Sequence, residues 1–118
     1  MIETLFGSIN REKVLLFLYF RSQGYAREIS RFYNTDLNQI QKQLERLAAG
    51  GVLNQKTIGK IRLYSLNPSY TFSPELNAIL DRLSTFYPEF SQGGLFNEEE
   101  KPAGEIKRYE TYDPDLMD

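Results

Sequence analysis

The stretch "NTDLNQIQKQLERLAAGGVLNQKTIGKIRLYSLNP" (residues 34–68) contains the pattern that decides the fold. Its first half predicts a helix from Leu37 to Ala49, which ends at two glycines. Asp36 is a suitable capping residue for this helix, and Gln39 three residues later completes an Asp-x-x-Gln variant of the capping box. The second half has two β-favouring runs joined near Gly59, which predicts a hairpin. A helix followed directly by a hairpin therefore lies at the centre of the chain.

The predicted helix has one apolar face and one face rich in amides. Ile40, Leu44 and Leu47 recur at helical spacing and form the inward stripe. The outward side chains have the chemistry of base recognition, because amides bond adenine in bidentate fashion and lysine reaches guanine or phosphate. An ordinary solvated helix face is the plain alternative. The DNA-contacting residues that we predict on this helix are Asn38, Gln39, Gln41, Lys42 and Arg46.

Two further helices are predicted before this stretch. The run "INREKVLLFLYFRSQ" follows Ser8 and is apolar on more than one side, so we expect a buried helix that stops at Gly24. The short run "AREISRFY" predicts a second helix, with Ile29, Phe32 and Tyr33 turned inward. Two short helices joined by a tight turn, the later one with base-bridging residues, form a helix-turn-helix arrangement.

The predicted hairpin is basic. Ile61 and Leu63 alternate with Arg62 and Tyr64 on the return strand, as in a half-buried strand. A basic hairpin beside a helix-turn-helix is suited to lie along the phosphate backbone while the helix enters the major groove. The cations that we expect close together at the tip and flanks of the hairpin are Lys56, Lys60 and Arg62.

Charge divides the chain into two segments. Residues 1–87 hold 11 Lys and Arg against 7 Asp and Glu, for a net charge of +4, whereas residues 88–118 hold 3 against 9, for a net charge of -6. We therefore predict a DNA-binding domain over residues 1–87 and an acidic, partly disordered tail over residues 88–118.

The tail keeps four aromatic residues, Phe90, Phe96, Tyr109 and Tyr112, which indicate docking on some surface. The candidate surfaces are its own basic domain, a second subunit, or a separate protein partner. An acidic segment that competes with DNA for the basic domain, and an inert solvated extension, are the other interpretations.

The run "SPELNAILDRLSTFY" (residues 73–87) predicts a helix with Ser73 as its cap and Pro74 at its first position. Its apolar residues recur at helical spacing. These apolar residues fit either a fourth helix packed in the core or a helix that forms a dimer interface, here called the seam, together with the apolar first helix. We favour the seam and therefore expect a homodimer.

The composition excludes several classes of function. The chain has no cysteine and no histidine, which excludes disulfides, thiolate or imidazole zinc sites and a Ser-His-Asp triad. It has no glycine-rich phosphate loop, and the acidic residues before residue 88 are scattered singly. We expect no enzyme and no cofactor. The longest apolar run, residues 14–20, is too short to cross a bilayer, and the N-terminus lacks a secretory signal, so we expect a cytoplasmic protein.

The runs "LFGSINREKVLLFLYF", "YAREISRFYNTDLNQIQKQLERLAAGGVL" and "KIRLYSLNP" resemble the winged helix-turn-helix of small bacterial transcription regulators. Within these, the chain is similar to the arsenical-resistance-repressor-like group and to compact winged domains found alone or joined to nucleotidyltransferases. The resemblance covers about residues 4–87. It implies a mainly helical α+β fold that binds DNA, often as a dimer, with Leu37 to Ala49 as the recognition helix and a wing centred on Ile58 to Lys60.

Two departures from the group limit what the resemblance implies. Its metal sensors bind their effector through cysteine or histidine, which this chain lacks, and its recognition helices are more basic than "LNQIQKQLER". The expected function is a transcriptional regulator that binds double-stranded DNA, with the third predicted helix in the major groove and the wing on the backbone. The alternative is a winged-helix protein interaction module, or an adaptor to a partner such as a nucleotidyltransferase, with little DNA binding.

Overall fold

The computed structural model describes residues 1–90 of the 118-residue chain. The described part is mainly helical α+β, as predicted, with five helices and one antiparallel hairpin. No helix within it is long and apolar enough to cross a membrane. In chain order the elements are α1 (Glu3–Phe6), α2 (Ile9–Arg21), α3 (Ala26–Tyr33), α4 (Leu37–Ala49), β1 (Leu53–Ile58), β2 (Ile61–Leu66) and α5 (Ser73–Ser84).

Helix α2 is the centre of the core. Residues 14–18 are all buried, and α2 contacts α1, α3, α4, α5 and β2. Ser8 caps the helix, because its Oγ accepts hydrogen bonds from the N–H groups of Asn10 and Arg11. The chain therefore buries its most apolar segment by itself. The prediction that α2 contributes to a dimer seam with α5 is wrong for this reason.

The turn between α2 and α3 depends on Gly24, although not as the predicted helix stop. Helix α2 already ends at Arg21, and Ser22 takes the positive φ of +76° at its C-terminus. Gly24 instead forms a β-bridge to Tyr64, with N–H···O distances of 3.0 and 2.8 Å. A Cβ at this position would lie 2.8 Å from Cε1 of Phe17, so only glycine fits without a shift of the packing. The bridge also buries Tyr64, which the alternation of β2 had predicted to face outward.

Helices α3 and α4 form the predicted helix-turn-helix. Asn34 ends α3 in the left-handed conformation, and the Oδ2 atom of Asp36 accepts from the Gln39 N–H at 3.1 Å, which confirms the cap of α4. The inward stripe of α4, Ile40, Leu44 and Leu47, is buried as predicted. In α3, Ile29 is buried, whereas Phe32 is 37% exposed and contacts Phe17 edge-on.

The hairpin has a two-residue turn. Ile58 pairs with Ile61, which leaves Gly59 and Lys60 as the turn residues. Gly59 has a φ of +64°, the conformation that a type II′ turn requires at its first central position. Beyond Leu53, every residue of β1 is exposed, so most of this strand extends away from the core.

The last described elements differ in detail from the sequence prediction. Helix α5 begins one residue early, with Phe72 at the N-cap position, so Ser73 is its first residue and not its cap. Leu80 and Leu83 are buried, which makes α5 a core helix. Phe90, placed in the predicted tail, is also buried and stacks on Phe20 at a centroid distance of 5.0 Å. The predicted disorder and the tail aromatics Phe96, Tyr109 and Tyr112 lie outside the described residues.

Candidate nucleic-acid interface

Helix α4 presents a polar face to solvent. Its buried stripe and its cap fix the rotation of the helix, and all five residues predicted to contact DNA on it are exposed. Gln43 is the exception among the amides of α4, because it is buried and its Oε1 accepts a hydrogen bond of 2.9 Å from the Nε of Arg11. The exposed residues of α4 that were predicted to contact DNA are Asn38, Gln39, Gln41, Lys42 and Arg46, and Glu45 and Ala49 are exposed beside them.

A groove runs between this face and the hairpin. It has a volume of about 280 Å³ and is lined by residues from the start of α3, from α4 and from the tip of the hairpin. Among its lining residues in the described chain are three cations and an amide, and none is acidic. We call it the basic groove and define it by Arg27, Gln41, Lys60 and Arg62.

Arg62 lies near Tyr64 on the return strand of the hairpin. The two residues lie two apart on β2 and therefore share one face of the strand. A side-chain hydrogen bond with Tyr64 raises the pKa of the Arg62 guanidinium above its usual range, with a smaller contribution from Glu45, so the group remains a cation. Tyr64 is buried and bridged to Gly24, and both Tyr64 and Arg62 line the basic groove.

The three cations of the hairpin do not form one cluster. The cross-strand pairs are Lys56 with Leu63 and Thr57 with Arg62, and paired residues share a face while neighbours along a strand alternate. Lys56 and Arg62 therefore lie on opposite faces of the hairpin. The expectation that Lys56 joins Lys60 and Arg62 is corrected in this respect, since only the latter two line the basic groove.

Arg27 is a candidate site residue that the sequence analysis missed. It lies in the first turn of α3, where the helix dipole disfavours a cation. A cation at such an unfavourable position is the sequence signal that could have identified Arg27. In the structure it lines the basic groove opposite Lys60 and Arg62. Three cations from two separate elements thus converge on one groove, which suits a polyanion such as a phosphate backbone. Residues 1–90 contain no group of three side chains that is suited to hold a metal ion.

Comparisons with known proteins give structural neighbours only. No family model matches the chain, and no curated protein matches it. A predicted DNA-binding transcriptional regulator from Escherichia coli has a TM-score of 0.59 at 20% identity, covering 73% of this chain and 85% of that one.

Two further solved structures are similar. A MarR family transcriptional regulator from Silicibacter pomeroyi has a TM-score of 0.56 at 12% identity, over 98% of this chain and 81% of its own. A mutant of Lactococcus lactis ZitR in its apo form has a TM-score of 0.51 at 15% identity, over 93% of this chain and 92% of its own. At these identities the likeness concerns the fold, which is the winged helix-turn-helix that the sequence predicted.

Proposed function

We propose that this chain is a transcriptional regulator that binds double-stranded DNA, with α4 in the major groove and the tip of the hairpin on the phosphate backbone. The observation that carries the proposal is the basic groove, which joins the amide-rich face of α4 to the cations of the wing. Major-groove readout needs side chains that bridge base edges, and backbone contact needs cations beside them. The structural neighbours from Escherichia coli and Silicibacter pomeroyi are described as transcriptional regulators, which supports the same function.

The proposed contacts divide by chemistry. Asn38, Gln39, Gln41 and Lys42 reach base edges, whereas Arg46 and the hairpin cations bond phosphates. Lys56, on the other face of the hairpin, contacts the backbone beyond the basic groove. In this proposal the chain acts in the cytoplasm and has no catalytic activity. It is related to the arsenical-resistance-repressor-like group, but it has no metal effector.

A homodimer is part of the proposal. A single recognition helix covers only one half-site, and regulators of this type double their contacts by binding two half-sites about one helical turn apart. DNase footprinting on a selected site tests this directly. Two half-sites separated by about 10 base pairs support the dimer, and a single short footprint contradicts it.

Alanine substitutions at Arg27, Lys60 and Arg62 are expected to weaken binding to every duplex alike. Each removes one phosphate contact, so each lowers the slope of log affinity against log salt by about 1. Fluorescence anisotropy of a labelled random duplex over a range of salt concentrations measures this slope. Arg82→Ala is the matched control, because Arg82 lies on α5 and lines a different groove. A triple variant whose slope equals that of the unsubstituted chain rules out phosphate binding in the basic groove.

The second candidate function is a protein interaction module, an adaptor to a partner such as a nucleotidyltransferase. It is favoured by the low charge of the exposed face of α4, where Glu45 lies between Lys42 and Arg46. The two functions differ in whether the full chain binds duplex DNA at low salt.

A further inference from the structure

A second groove, on the surface of α5, is almost entirely apolar. It has a volume of about 340 Å³, and within it Ile79 is 38% and Phe86 53% exposed. Exposed aliphatic and aromatic surface of this kind is costly unless something covers it. We call it the apolar groove and define it by Ile2, Ala78, Ile79, Arg82, Leu83 and Phe86.

Two walls of the apolar groove are fixed by Glu12. This carboxylate is buried, and its Oε1 accepts from the Ile2 N–H at 2.9 Å while its Oε2 accepts from the Tyr87 hydroxyl. Burial raises the pKa of Tyr87 and the hydrogen bond to Glu12 raises it further, so the hydroxyl is a donor at neutral pH. The groove is thus preformed, with Ile2 held on one side and the residue after Phe86 held on the other.

The chain passes this groove immediately before the tail. Phe86 lines the groove, and four residues later Phe90 is buried among aromatic side chains of α2 and α3. Phe90 is the first of the four tail aromatics, and it docks on its own domain. The acidic segment therefore starts from an anchored point beside the apolar groove.

We propose that the tail folds back on its own domain and that Leu95 and Phe96 fill the apolar groove. The reach is sufficient, because Phe86 and Phe90 are at most about 14 Å apart along an extended chain, and Phe90 to Phe96 spans up to about 20 Å. The sequence "SQGG" between them offers two adjacent glycines, which permit the reversal that this path requires.

Charge and tethering favour Leu95 and Phe96 of the tail as the residues that fill the apolar groove. Glu98, Glu99 and Glu100 follow Phe96 after one residue, Asn97. Arg82 lines the apolar groove, as does Met1, whose ammonium is paired with Glu3 and Glu12. The basic groove mixes apolar residues such as Leu37 and Ile61 with three cations, whereas the walls of the apolar groove are almost entirely apolar and remove both side chains from water more completely. A tethered segment also acts at an effective concentration of about millimolar, above that of a second copy in dilute solution. The docked tail leaves the basic groove open, so this inference holds independently of DNA binding.

A single introduced thiol tests the proposal in the full chain. The sequence has no cysteine, so Ala78→Cys, at an exposed position in the groove, gives one reactive site. The rate of its reaction with a small uncharged maleimide is compared with and without Leu95→Ser and Phe96→Ser. We expect the two serine substitutions to increase the rate about fivefold to tenfold, because they remove the apolar contact that covers the thiol. Tyr109→Ser with Tyr112→Ser is the matched control, since it removes two tail aromatics and leaves the rate unchanged.

Two results overturn the proposal. If the rate does not respond to Leu95→Ser and Phe96→Ser and the thiol reacts as fast as a free cysteine, the groove is open. If the rate does not respond to these substitutions but rises on dilution of the protein, a second copy covers the groove instead. Circular dichroism of each variant verifies that the domain is folded in every comparison.

Discussion

Replacing Gln41 and Lys42 together by alanine is expected to weaken binding to a cognate duplex by about 2–6 kcal/mol, since each good base contact contributes about 1–3 kcal/mol to discrimination. Both side chains are exposed on α4, whose buried stripe and Asp36 cap they do not touch, so the fold is retained. Binding to random duplexes falls much less, because only the Lys42 charge is lost there. A cognate duplex is obtained by selecting from a random library, and anisotropy titrations then give both affinities.

The matched control for this variant is Asn77→Ala with Arg82→Ala. It also removes one amide and one cation from an exposed helix face, but from α5. Its affinity for both duplexes is expected to equal that of the unsubstituted chain. If Gln41→Ala with Lys42→Ala leaves the cognate affinity unchanged while circular dichroism shows an intact fold, α4 does not read bases.

Glu28→Ala is expected to lower the free energy of unfolding by about 3–5 kcal/mol, the usual consequence of removing one partner of a buried ion pair. The Nη2 atom of Arg21 and the Oε2 atom of Glu28 are 3.4 Å apart, and both side chains are buried. The guanidinium also lies over the ring of Phe17. Without the carboxylate, a buried cation remains between the end of α2 and the start of the helix-turn-helix. Urea denaturation followed by circular dichroism measures the change.

Two control variants separate the ion pair from a general effect of losing a carboxylate. Glu75→Ala, at an exposed position in the first turn of α5, is expected to change stability by no more than about 1 kcal/mol, the usual contribution of a carboxylate to the helix dipole. Arg21→Met with Glu28→Leu removes both charges, and it is expected to recover most of the loss because no ion is left uncompensated. A loss below about 1 kcal/mol for Glu28→Ala would mean that the pair does not stabilise this junction.

The local features of the fold could be predicted from the sequence. Helix α4 has the predicted limits, Leu37–Ala49, because its cap, its apolar stripe and its terminal glycines are all signals within a few residues of one another. The turn of the hairpin follows from Gly59 for the same reason. These signals depend only on backbone conformation and on the period of the helix or strand.

The features that the sequence analysis missed depend on contacts between distant residues. The sequence pattern predicts Gly24 as a helix stop, but two contacts with distant residues explain its role. Its bridge to Tyr64, forty residues later, accompanies the burial of that tyrosine, and the ring of Phe17 leaves no room for a Cβ at position 24. Phe90 lies in an acidic segment whose composition indicates disorder, yet it stacks on Phe20 in the core. Composition describes a segment as a whole and does not identify the one side chain that packs elsewhere.

The candidate site also combines features that the sequence predicts with features that depend on contacts between distant residues. The exposed residues of α4 follow from its period, whereas the separation of Lys56 from Arg62 follows from the strand register, which a turn placed only "near Gly59" left open. Arg27 belongs to the basic groove because α3 and the hairpin approach each other in three dimensions. No spacing in the sequence predicts that approach.

The affinity of the full chain for a random DNA duplex, measured from low to physiological salt, tests the proposed function most directly. The cations placed on DNA are Arg27, Lys42, Arg46, Lys60 and Arg62, with Lys56 beyond the groove. With four or five of them on phosphates, log affinity is expected to fall with log salt at a slope of about -4. A chain that binds no duplex even at low salt, or whose affinity does not depend on salt, would contradict DNA binding and leave the protein interaction module as the function of this fold.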